Sequence, residues 1–100
     1  MTDSKNTRAK AYRRNIIKQT AILYNGKILD LSNVGFVSND IEIEVTTSKR
    51  FDDKNPRKKY QTLVKCTDEG NPYNDYTRFY IDLEDAIRGH DEIVIDISVN

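Results

Sequence analysis

Tryptophan is absent from this chain, and histidine and cysteine occur once each, as His90 and Cys66. A single cysteine cannot close an internal disulfide, which excludes a disulfide-stapled scaffold and fits a reducing compartment. A single histidine excludes a multi-histidine metal cluster. A Cys-His nucleophile pair would need both solitary residues to converge. With two prolines and four glycines the chain has little room for flexible linkers. No apolar run approaches the ~20 residues of a spanning helix. The polar N-terminus carries no signal-peptide pattern, so a cytoplasmic protein without membrane association is expected. A glycine-rich phosphate loop is missing too. The acid pairs Asp52-Asp53, Asp68-Glu69, Glu84-Asp85 and Asp91-Glu92 are sequence neighbours in polar stretches. Their spacing singles out no general acid and base. The expectation is a protein that is not an enzyme and uses no metal or cofactor. His90, just after Gly89, reads as a surface histidine in a turn, and Cys66 as a small core residue.

What the chain does have is β-branched bulk. Eleven Ile, six Val and eight Thr in 100 residues suit a pleated, half-buried surface, and the length suits one domain. Residues 1–14 read as a basic, polar arm and 15–100 as a single β-rich domain. Arg8 to Lys18 is open to two readings. Ala9, Tyr12, Ile16 and Thr20 lie at helical spacing, whereas the dense β-branched run beyond Ile16 favours an irregular arm leading into a strand at Asn15.

Gln19–Tyr24 and Lys27–Leu31 flank Asn25-Gly26, a pair suited to a type I′ hairpin turn. Gly35-Phe36-Val37 reads as a short strand, and Ile41–Val45 alternates apolar residues with acids. Ser48–Lys59 reads as an exposed loop, and Tyr60–Cys66 and Tyr76–Ile81 as further strands. Asp82 can cap a short helix ending at Arg88 before Gly89. Ile93, Ile95, Ile97 and Val99 then alternate as a final strand. The expected fold is mainly β (α+β). It is a small antiparallel sheet, curved or closed into a six- to seven-stranded barrel, with one short helix near 82–88.

Charge is balanced overall, with 16 bases and 16 acids, but unevenly placed. Lys5, Arg8, Lys10, Arg13, Arg14, Lys18 and Lys27 crowd the first quarter, and acids crowd the last third. Lys49, Arg50, Lys54, Arg57, Lys58 and Lys59 form a basic patch between them, interrupted by Asp52 and Asp53. Such a layout concerns partners more than fold. It suits either a small phage- or plasmid-encoded inhibitor steered electrostatically onto a host protein, or a nucleic-acid-binding module using the arm and the 49–59 loop.

Asp30-Leu31-Ser32-Asn33-Val34-Gly35 fits the pattern D-x-S-x-x-G at the end of the second hairpin strand. With the arginines Arg13 and Arg14 upstream, and Arg78–Leu83 leading into a short helix, it resembles the PilZ family. The resemblance implies a six-stranded barrel that binds cyclic di-GMP, with Arg13, Arg14, Asp30, Ser32 and Gly35 forming the pocket. The family's R-x-x-x-R segment is matched only approximately, by Lys10 to Arg14 or Arg14 to Lys18, each with one lysine replacing an arginine. The chemistry is consistent with nucleotide recognition. Guanidinium forks match phosphates and guanine edges, and a carboxylate accepts from a guanine edge. The same Asp30 and Ser32 would equally organise a turn by bonding local backbone.

Overall fold

The computed structural model describes residues 15–31, 40–50 and 55–99. The β-branched run after Asn15 forms β1 (Ile16–Leu23), which pairs with β2 (Ile28–Asp30). On its other side β1 pairs with β3 (Ile41–Lys49). Then come a 3₁₀ turn at Pro56–Lys58, β4 (Tyr60–Cys66), β5 (Thr77–Tyr80) and helix α1 (Leu83–Val99). The five strands are antiparallel in the order β2-β1-β3-β4-β5. The protein is thus mainly β with one C-terminal helix.

The expected hairpin is present, but its turn differs. Ile22 pairs with Ile28, leaving the three residues Tyr24, Asn25 and Gly26 in the loop beyond the Leu23–Lys27 contact. Gly26 has φ +88°, and Asn25 does not share a positive φ. The Gly26 amide donates to the Leu23 carbonyl at 2.9 Å. This is a type I turn closed by a left-handed glycine, the other common short hairpin connection, rather than type I′. The Asn25 side chain is spent on its own loop, accepting from the Lys27 amide at 2.9 Å.

Closure into a barrel is not reached among the described residues, where the sheet is an open series with β2 and β5 at its edges. The strand expected at Gly35–Val37 and the arm at 1–14 lie outside the described residues. The strand expected from Asn15 begins one residue later, at Ile16, as the β-branched run does.

The C-terminal reading needs correction. Ile93 to Val99 is not a strand, and the helix does not stop at Arg88; α1 runs 17 residues to Val99. Asp82 caps it as expected, accepting from the Asp85 amide at 2.8 Å, and Glu84 and Asp85 complement its N-terminal dipole. The alternating isoleucines conceal a helical stripe. Ala86, Gly89, His90, Ile93, Val94 and Ile97 are buried, at steps of three and four residues that line one helix face. Ile95 and Val99 are exposed. That stripe packs on alternate residues of the sheet, where Ile22, Ile43, Val45 and Val64 meet Ile93, Val94 and Ile97 in one cluster. Each such side chain contributes on the order of 1.5–3 kcal/mol through burial.

Gly89 is therefore a packing residue within the helix and not its stop. A Cβ built there would lie 2.3 to 2.6 Å from ring and hydroxyl atoms of Tyr80, so only glycine admits the Tyr80 ring against the helix backbone. Gly89→Ala should lower the unfolding free energy by about 1–3 kcal/mol through overpacking, despite alanine's better helix propensity. Urea denaturation measures this, and unchanged or raised stability would contradict the close approach.

Candidate functional site

Beside the apolar cluster, the helix face of the sheet carries a line of hydroxyl groups. Thr20 on β1 pairs with Val45, Thr47 on β3 pairs with Thr62 on β4, and Tyr80 lies on β5. Strand alternation points all of them at α1. His90 bridges them. Its Nε2 lies 2.8 Å from Thr20 Oγ1 and its Nδ1 2.7 Å from Thr47 Oγ1. The line continues from Thr47 to Thr62 at 2.6 Å and from Thr62 to the Tyr80 hydroxyl at 3.0 Å. His90, Thr47 and Thr62 are 0 % exposed, so the surface-histidine reading is overturned. A neutral imidazole offers one donor and one acceptor, and either tautomer satisfies the line with every hydroxyl donating in the same direction.

Burial pushes the His90 imidazole down to about 4, helped by the Lys18 ammonium and opposed by the Asp91 and Asp30 carboxylates. Charging the ring would also turn both nitrogens into donors and leave one flanking hydroxyl, that of Thr20 or Thr47 according to the tautomer, without its acceptor at His90. Burial likewise raises the Tyr80 phenol, which keeps its proton for the hydrogen-bonded line. Two ion pairs flank the histidine, Lys18 to Asp91 at 2.6 Å and Arg78 to Glu92 at 3.1 Å. They tie β1 and β5 to neighbouring positions on α1. Being solvent-facing, each is worth on the order of 0.2–1 kcal/mol.

Of the nucleotide-pocket residues named from sequence, Asp30 alone falls among the described residues; Arg13, Arg14, Ser32 and Gly35 lie outside them. Asp30 is exposed, ends β2 and sits opposite Thr20. The Leu31 amide extends the pairing by donating to Gln19 at 2.8 Å. Because the hairpin is antiparallel, the chain enters β1 and leaves β2 at the same end. Asn15, which follows Arg14, has a shielded side-chain oxygen that accepts no hydrogen bond among the described residues.

The basic patch is brought together in part, with Lys54 outside the described residues. Arg50 donates its amide to the Lys59 carbonyl at 2.9 Å, joining the two sides of the β3–β4 connection. Asn55 caps the 3₁₀ turn by accepting from the Arg57 amide, and Pro56 fixes its first position. This turn carries Lys58 Nζ to 4.7 Å from the centre of the Phe79 ring, and Arg50, just after β3, brings its Cζ to 4.9 Å. Phe79 was not named as a site residue from sequence, where it was read only as part of the Tyr76–Ile81 strand. Its place on an edge strand among cations was the available signal.

Cys66 is half-buried against the core cluster. Burial raises its thiol pKa, and Glu42, Asp68 and Asp75 push the same way, so the thiol stays protonated and weakly nucleophilic. It and His90 serve different parts of the fold. No three His, Cys, Asp or Glu side chains gather as metal ligands among the described residues, and no described helix is long and apolar enough to cross a membrane. Compared with protein-family models, with curated proteins and with solved structures, the chain matches none.

The buried histidine sets a pH dependence. Its folded pKa lies below the ordinary 6.5, so as pH falls from there the unfolded chain takes up a proton that the folded one refuses. Stability is full above about 6.5 and declines until about pH 4; the loss is roughly 3 kcal/mol. Urea unfolding at stepped pH should show this slope in the native protein. His90→Gln, which keeps one donor and one acceptor without titrating, should remove that component. Parallel slopes for the two proteins would contradict the assignment.

Proposed function

We propose that this protein is a non-catalytic, PilZ-like binding domain whose ligand is a cyclic dinucleotide. The supporting observation is the shared end of the β1–β2 hairpin. Asp30 stands where β2 ends, and β1 begins at the residues that follow Arg13 and Arg14. The chain thus enters β1 from, and leaves β2 towards, the same side of the sheet, with Asp30 opposite Thr20; in this reading the D-x-S-x-x-G segment and the basic arm meet there. In this reading the arginine forks clamp phosphate and a guanine edge, and Asp30 accepts from guanine N–H groups. Ser32 adds a hydroxyl, and Gly35 gives the backbone a close approach. The Asn15 oxygen, without a partner among the described residues, offers one more acceptor beside the arm. Closure of the curved sheet into a six- to seven-stranded barrel, through the segment around Gly35–Val37, belongs to the same reading.

The arrangement calls for little beyond binding. The described nucleophile is a protonated thiol, and the histidine is consumed by structural hydrogen bonds.

Titration calorimetry with cyclic di-GMP tests the proposal. Heat of binding should appear at micromolar ligand, disappear in Arg14→Ala and persist in Lys54→Ala. A folded native protein that gives no heat at high micromolar ligand would overturn it.

A further inference from the structure

A second surface lies across the sheet from Asp30, at the edge formed by β5, the 3₁₀ turn and the first turns of α1. A groove of about 410 Å³ runs there, lined by Arg57, Arg78, Phe79, Arg88 and the acids Asp85 and Glu92. Arg78 and Arg88 each answer one acid, at 3.1 Å and 3.4 Å, and each guanidinium keeps donors to spare. Lys49, Arg57, Lys58 and Lys59 meet no acid among the described residues. Among the described residues this edge therefore holds a surplus of positive charge, which attracts a polyanion.

Phe79 decides the kind of polyanion. It is 39 % exposed on an edge strand, and alternation with Tyr80 turns its ring away from α1. Arg50 and Lys58 lie over that ring at 4.9 and 4.7 Å. A ring kept at the surface between cations matches the pairing of base stacking with phosphate contacts used on single-stranded nucleic acid. An acidic protein segment would satisfy the charges and leave the ring unused. The β5 strand, four residues long with a free outer edge among the described residues, leaves room for a strand to pass.

We infer that the β5 edge binds single-stranded nucleic acid, with Phe79 as the stacking platform and Arg57, Lys58 and their neighbours as phosphate contacts. The inference is independent of the cyclic dinucleotide reading, which uses the opposite edge of the sheet.

Fluorescence anisotropy of a labelled oligo-dT 20-mer with the full chain tests it. At 50 mM salt the oligonucleotide should bind in the micromolar range. Four phosphate contacts give a log–log salt slope of about −3. Arg57→Ala with Lys58→Ala should weaken binding at least tenfold and flatten the slope to about −1.4. Phe79→Leu should weaken it roughly fivefold or more while leaving the slope unchanged. All three residues are surface-facing, and a circular dichroism spectrum confirms folding of each variant. Arg13→Ala with Arg14→Ala should bind like the native chain. Three results would each overturn the inference: no binding by the native protein, loss only with the arm variant, or poly-glutamate competing as well as oligo-dT.

Discussion

One line of hydrogen bonds holds this fold in register, from Thr20 through His90 to Thr47, Thr62 and Tyr80. It joins β1, β3, β4 and β5 to the helix. A purely apolar face tolerates sliding and repacking, whereas a buried polar line is satisfied in one alignment and costly in any other. The imidazole has one donor and one acceptor when neutral, so it inserts between hydroxyls without leaving an orphan. Its depressed pKa follows from the same burial. Gly89, one residue earlier, lets Tyr80 reach the line.

The two ends of this line lie near the two proposed binding surfaces. Thr20 is paired with Asp30, the last residue of β2, partway along β1. Tyr80 follows Phe79, the ring at the basic edge. Each surface is therefore mounted on an element that the buried network holds rigid, which is what a site that binds without catalysing needs. Among the described residues no Lys, Arg, Asp or Glu side chain is buried, and the interior holds neutral groups.

Local signals in the sequence were sufficient for much of the fold. The Asn25-Gly26 hairpin, the strands Ile41–Val45, Tyr60–Cys66 and Tyr76–Ile81, and the Asp82 cap each follow from residues close together in the chain. The C-terminal helix was concealed because Ile93, Ile95, Ile97 and Val99 satisfy a two-residue period, while Ile93, Val94 and Ile97 also satisfy the helical one. Gly89 reinforced the wrong choice, since its purpose is a contact with Tyr80 that no local pattern contains. His90 was misread for the same reason, as its partners are 43 and 70 residues away. At the candidate sites Asp30 and the basic cluster were legible from residue type, but the addition of Phe79 depended on strand pairing. Arg13, Arg14, Ser32 and Gly35 still rest on sequence.

The buried line can be observed directly because the chain has a single histidine. A long-range proton–nitrogen spectrum reports both imidazole nitrogens as pH is lowered. The account predicts one protonated and one bare nitrogen at neutral pH, with no titration until about pH 4. A midpoint near the ordinary value of 6.5 would contradict it, because a histidine that titrates there is not sealed between the helix and the sheet.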